Sequence, residues 1–334
     1  MPRAIILGCR GPELGSAERA FLREANPWGF ILFGRNVETP AQLSRLTADL
    51  RDAVGRDAPI LIDQEGGRVA RLRAPAWREW RPALEDCARL PAGLRERAMR
   101  LRYELIAGEL AAVGVDVDCA PVLDLLQPDT HGVIRDRAYS ADPAETARIG
   151  RAVAEGLMAG GVLPVTKHIP GHGRARVDSH HALPRVSASR AELARDFAPF
   201  AALADLPMAM TAHVVFEALD PDAPATLSPT MVRAIREEIG FDGLLMTDDL
   251  SMKALTGPFG ARVERALAAG VDVMLHCNGE PAEAAEVAEA APRLAGRAAA
   301  RAERALALRR GPGLGSGDPA ALEAEFASLG AADA

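Results

Sequence analysis

Aromatic residues make up only 4% of this 334-residue chain, too few to build the stacking platforms on which single-stranded nucleic acids lie. Positive charge is also in deficit: the formal net charge is −7, which opposes attraction to nucleic acid or anionic lipid. No run approaches the ~20 apolar residues of a membrane span. The opening MPRAIILGCRGPEL has an apolar stretch too short for a secretory signal and lacks a cleavage-like site. Nucleic acid and membrane are therefore set aside as partners, and the cytoplasm is the expected location. The four cysteines, Cys9, Cys87, Cys119 and Cys277, form no CxxC pair, which points to buried structural thiols. GCRGPELG lacks the GxGxxG spacing of a dinucleotide-binding turn, so no cofactor is implied. With no obvious exposed apolar stripe, a monomer is the default expectation.

What the chain does have is alternation. Short apolar runs recur from end to end, at Ala4 to Gly8, Gly29 to Phe33, Pro59 to Asp63, Val115 to Val122, Val162 to His168, Met208 to Val215, Gly243 to Thr247 and Val271 to His276. Several are continuous, as expected of parallel strands buried on both faces. Helical patterns lie between them. Thr39-Pro40, Asp142-Pro143 and Ser228-Pro229 each offer an N-cap followed by proline in the first turn. Eight strands, each followed by a helix, predict a single-domain α/β fold of the closed (β/α)8, or TIM, barrel type over residues 1–310. The stretch from Gly311 (GPGLGSGDP) breaks a long Ala/Arg helical pattern and predicts a tail, 311–334, carrying one weak helix, either part of the same domain or a surface appendage.

In such barrels, the active site forms at the C-terminal ends of the strands. Five of the eight predicted strands end in or pass through charge: Asp63, Asp124, the Lys167-His168 pair, His213 and the Asp248-Asp249 pair. Exposed strand ends account for one or two such residues; five favour a common polar pocket.

Residues Lys167 to Pro184, KHIPGHGRARVDSHHALP, hold four of the chain's seven histidines. The stretch is too polar and glycine-containing for a strand or stable helix, and reads as a loop over the barrel mouth. Asp178 and His180 are close enough for the carboxylate to hold the imidazole and ready it for proton transfer. Gly171 and Gly173 would let the loop move. The loop histidines lack HExxH spacing and a thiolate partner, so no metal is expected. GLLMTDDLSM, residues 243–252, delivers two adjacent acids at a strand end, and their side chains point in opposite directions. The sequence leaves open which of the two enters the pocket.

DQEGGRV, KHIPGHG followed by DSH, and TDDLSM, in that order, resemble the bacterial β-N-acetylglucosaminidases of glycoside hydrolase family 3, especially the single-domain, cytosolic type of cell-wall recycling. The likeness runs over roughly residues 28 to 280. It implies a retaining exo-hydrolase that releases terminal β-linked N-acetylglucosamine from peptidoglycan fragments. By resemblance, Asp248 is the nucleophile, His180 the general acid/base and Asp178 its orienting partner. Asp63, Arg71, Arg137, Lys167 and His168 are implied substrate contacts. The chain departs from the family's common SDD by reading Thr247-Asp248-Asp249. It also reads Arg135-Asp136-Arg137-Ala138-Tyr139 where Gly-Asp-Arg-Ser-Phe is usual. The second, carboxyl-terminal domain of many relatives is expected to be absent. Competing readings are a phosphorolytic variant, a catalytically silent sugar-binding barrel and a metal-dependent amidohydrolase.

Overall fold

Apolar runs of four to eight residues that lack polar alternation must be covered on both faces, and helices between them supply the cover. The structure, a computed structural model, describes residues 1–309 and 318–330. It opens with β1 (Arg3–Gly8), α1 (Ser16–Ala25), β2 (Pro27–Leu32), α2 (Pro40–Val54) and β3 (Ile60–Ile62). Helices α3 (Ala83–Arg89) and α4 (Ala92–Ala112) lead to β4 (Val117–Asp118), and α5 (Gly132–Arg135) and α6 (Pro143–Ala159) to β5 (Leu163–Ile169). β6 (Arg185–Val186) and α7 (Arg190–Ala202) precede β7 (Met208–Thr211), while β8 (Val215–Phe216) and α8 (Pro229–Glu237) precede β9 (Leu244–Asp249). α9 (Phe259–Ala269), β10 (Val273–His276), α10 (Pro281–Ala290), α11 (Gly296–Ala307) and α12 (Pro319–Ser328) complete the order.

Eight of these strands close a parallel barrel in the order β1-β10-β9-β7-β5-β4-β3-β2, so the predicted single-domain (β/α)8 fold is the observed one. Ile6, Leu61, Val117, Val165, Met208, Met246 and Leu275 fill the barrel interior, and a larger apolar layer lies between strands and helices. The helix starts follow the caps. Thr39 Oγ1 accepts the Gln42 N–H at 3.2 Å, Asp142 Oδ1 that of Glu145 at 2.8 Å, and Ser228 Oγ that of Met231 at 3.0 Å.

Two strand readings change. The run Val115 to Val122 forms a regular strand only at Val117–Asp118; beyond it, Pro121 has no N–H to donate, and the chain stays beside β5 through a single bridge between Val122 and Lys167. The run Met208 to Val215 splits: Met208–Thr211 stays in the barrel, whereas Val215–Phe216 pairs with Arg185–Val186 in a small second sheet. That sheet anchors the end of the 167–184 loop. All four thiols are free and buried. The break expected at Gly311 lies outside the described residues. The helix beyond it, α12, packs on the barrel's outside: Phe326 is buried edge-on to Trp80, with ring centroids 5.7 Å apart.

Candidate active site

Because all eight barrel strands run parallel, their C-terminal ends meet on one face, and the polar strand ends converge there. They enclose a cavity of about 270 Å³ lined by Asp63, Arg71, Arg137, Lys167, His168, His180 and Asp248, among others. Seven of the eight site residues expected from the sequence thus face one space; the eighth, Asp178, stands behind His180.

One wall is a chain of alternating charges. Arg71 Nη2 donates to Asp63 Oδ2 at 2.9 Å, and Lys167 Nζ reaches Asp63 Oδ1 at 2.7 Å and Glu65 Oε1 at 2.6 Å. Arg137 then grips Glu65 through two bonds of 2.8 Å. Burial alone would push these carboxyls up. Lys167 and Arg71 outweigh it at Asp63, which is held well below the usual carboxylate range. Arg137 and Lys167 outweigh it at Glu65, which falls to about 2. Lys167, buried, would lose its proton more readily but for Asp63 and Glu65, which raise it. Its charge is therefore fixed.

Asp124 holds the next side chain in place. It accepts His168 Nδ1–H at 2.7 Å and the His172 N–H at 2.6 Å, and despite burial these imidazoles and N–H groups lower it to about 2. His168 Nε2 is left facing Arg137 Nη2 at 3.5 Å. His172 is pushed down to about 4 by burial and by His168, and its Nε2 lies 3.2 Å from Ser179 Oγ. It is a neutral strut beneath the loop. Among the described residues no group of three or more His, Cys, Asp or Glu could hold a metal ion. Gly173 packs against the Leu125 carbonyl, and a Cβ there would lie 1.9 Å from that oxygen. Close approach therefore demands the glycine at 173, in place of the hinge freedom expected for it.

The two acids of TDD separate. Asp249 is occupied: its carboxylate accepts Ser251 N at 2.9 Å, Ser251 Oγ at 2.5 Å and Cys277 N at 3.1 Å. His213 Nε2–H donates to the Asp249 carbonyl at 3.0 Å, so its Nδ1 accepts the Thr226 hydroxyl at 2.7 Å. Asp248, by contrast, accepts only the Asp249 N–H, at 2.8 Å, and has no ion-pair partner among the described residues. Burial pushes its carboxyl up, but His213, His168, the Asp249 N–H and His180 outweigh this, so it lies below the ordinary carboxylate value.

Opposite stands His180, its side chain 60% exposed, with Nδ1 held by Asp178 Oδ1 at 2.7 Å. The same oxygen accepts the His180 backbone N–H at 2.8 Å, an Asx-type turn that locks ring and backbone together. Since Nδ1–H donates to the carboxylate, Nε2 is free to exchange a proton with a ligand. His181 is exposed and stands 3.9 Å from Asp178. His131 caps α5 through Nδ1 at 3.1 Å.

Sequence reasoning missed Glu65. Its signal was spacing: in DQE, Asp63 and Glu65 stand two apart, as extended chain places residues on one face. Asp124 and His213 were noted only as strand-end polar residues, and the structure gives each a partner.

A barrel presenting an unpaired carboxylate and a carboxylate-held histidine across one small cavity is built for acid/base and nucleophilic chemistry at a strand-end site. Comparison with known proteins agrees. Residues 11–307 match the N-terminal domain of glycosyl hydrolase family 3. The chain is 41% identical over 283 residues to a β-hexosaminidase of Pseudomonas aeruginosa, with 83% of each chain covered. Among solved structures, NagZ from Neisseria gonorrhoeae in complex with N-trifluoroacetyl-D-glucosamine superposes with a TM-score of 0.86 at 29% identity, covering 98% of both chains. A family 3 β-N-acetylglucosaminidase of Paenibacillus gives 0.83 at 29% identity, covering 98% of this chain and 67% of that one. The chain belongs to glycosyl hydrolase family 3 and is a glycoside hydrolase.

Proposed function

We propose that this enzyme, a β-N-acetylhexosaminidase, removes terminal β-linked N-acetylglucosamine from peptidoglycan fragments by two displacements that retain anomeric configuration. The observation that supports this reading above others is the pairing across one cavity of Asp248, which forms no ion pair among the described residues, with the exposed His180–Asp178 dyad.

Asp248 attacks the anomeric carbon while protonated His180 gives its proton to the departing glycosidic oxygen. Water then enters, neutral His180 takes its proton, and the resulting hydroxide displaces Asp248 from the sugar. Asp178 stabilises the imidazolium and fixes its tautomer without itself taking the proton. A histidine suits this position: a second carboxylate would, as an anion, repel Asp248 and raise its pKa. Asp63, Arg71, Arg137, Lys167 and His168 would orient the sugar through its hydroxyl and acetamido groups. Asp249 is consumed by Ser251 and Cys277, which weighs against a substrate-assisted route needing two adjacent acids.

The test is hydrolysis of a chromogenic β-N-acetylglucosaminide by wild type, Asp248→Ala and His180→Ala, with chelator present. The expected result is turnover by wild type alone and, with a slow fluorinated sugar, an ester trapped on Asp248. Near-normal turnover by Asp248→Ala would overturn the nucleophile; loss of wild-type turnover with chelator would overturn the metal-free scheme.

A further inference from the structure

The loop that carries His180 also carries cations the chemistry above does not use. Arg174, Arg176 and Arg185 fall between His172 and the start of α7. Together with Gln127, Asp129 and Glu192 they line a second cleft of about 370 Å³ that shares no lining residue with the Asp248 cavity. A seam between two loops separates these spaces: Thr130 Oγ1 donates to the Gly173 carbonyl at 2.8 Å, and His131 N to that of Ala175 at 3.4 Å. The second cleft therefore lies across this seam from the cavity, beside the loop that carries His180; in the two-displacement scheme above, the leaving group departs on the His180 side.

The three arginines are not equivalent. Arg174 is committed to the fold, its Nε 2.5 Å from the buried Asp196 and its side chain only 22% exposed. Arg176 and Arg185 have side chains 78% and 51% exposed. Arg176 is held by one exposed carboxylate, Asp129 at 2.5 Å; Arg185 is held by Glu217 at 2.8 Å and the Pro221 carbonyl at 2.9 Å. Exposed pairs of this kind contribute about 0–1 kcal/mol, so an arriving carboxylate can exchange for the partner. The planar guanidinium fork matches a carboxylate through two parallel bonds. Val177, between Arg176 and the dyad in sequence, is an exposed apolar residue at 42%.

We propose that this cleft, through Arg176 and Arg185, is a subsite for a carboxylate-bearing aglycone: the acidic peptide stem attached to the sugar that leaves. The loop that delivers the proton would then also grip the group receiving it. This rests on the exo-glycosidase reading above and extends it beyond the scissile bond.

Wild type and the double variant Arg176→Gln/Arg185→Gln should be compared on three β-N-acetylglucosaminides. One has a neutral chromogenic aglycone, one a muramyl sugar with its single lactyl carboxylate, and one that muramyl sugar carrying an acidic peptide. Wild type is expected to show its highest kcat/KM on the peptide-bearing substrate, falling as salt is raised. The double variant should keep its melting temperature and chromogenic turnover. On the peptide-bearing substrate it should lose about tenfold in kcat/KM, through KM, the size of a bond to a charged group. Unchanged kinetics of the double variant on that substrate, or no wild-type preference for it, would overturn the subsite and leave the glycosidase reading intact. Absence of wild-type turnover on the chromogenic sugar would overturn both.

Discussion

Glu65→Gln perturbs the pocket wall at its centre. Glu65 neutralises two cations at once, taking both forks of Arg137 at 2.8 Å and Lys167 at 2.6 Å, with its side chain only 3% exposed. The amide keeps the volume and one acceptor oxygen but removes the charge, leaving Lys167 to Asp63 and Arg137 without a carboxylate. A fall in the Glu65 pKa from 4.5 to about 2 corresponds to about 3 kcal/mol of folding free energy. The cost of breaking a buried pair on one side, about 3–5 kcal/mol, agrees with this. For a chain of 334 residues that lowers the melting temperature by about 4–7 °C at neutral pH. The sign with pH follows from the depressed folded-state value. The contribution is fully present above 4.5 and is lost as pH falls from there toward 2. Melting curves of wild type and variant should therefore run parallel from pH 8 to 5 and converge below. In kinetics, KM for the chromogenic sugar should rise more than kcat falls, since the group acts through Arg137 and Lys167. A variant that melts with wild type at pH 7, or a gap that stays constant down to pH 3, would refute the charge-chain account.

Two further outcomes follow from the same geometry. Asp178→Ala frees the His180 ring from the 2.7 Å bond that sets its tautomer; kcat should fall on the order of 10²-fold with little change in KM, and a loss under twofold would remove Asp178 from the dyad. Phe326→Ala takes the buried ring of α12 away from Trp80, whose carbonyl accepts the Gly67 N–H at 2.7 Å behind Glu65. Urea unfolding should show a loss of about 3 kcal/mol, and an unchanged midpoint would mean that α12 does not brace the barrel.

The fold was legible because its signals are local. Continuous apolar runs announced strands covered on both faces, and Thr39, Asp142 and Ser228 announced helix starts that the hydrogen bonds bear out. The strand-end acids and histidines announced a pocket, since five of eight strands carrying them is more than exposed ends account for. Local signals also misled where a partner elsewhere decided the outcome. The run Met208 to Val215 reads as one strand, but its end pairs with Arg185–Val186 instead of the barrel. Gly173 reads as a hinge, but the Leu125 carbonyl needs its missing side chain.

The residue types at the mouth of the barrel, their order along the chain and the strands that carry them were thus determined by sequence alone. Which acid of the Asp248–Asp249 pair is free was decided only by the tertiary structure. Ser251 lies two residues from Asp249, but Cys277 reaches it from the next strand, 28 residues away. Glu65 likewise acquires its meaning from Arg137, 72 residues on, and Lys167 binds Asp63 from 104 residues away. Propensity and periodicity act over a few residues, whereas ionisation and hydrogen-bond satisfaction depend on whatever closure of the barrel brings within 3 Å. The charges were written in the chain, but their pairing, and the carboxylate left unpaired, came from the fold.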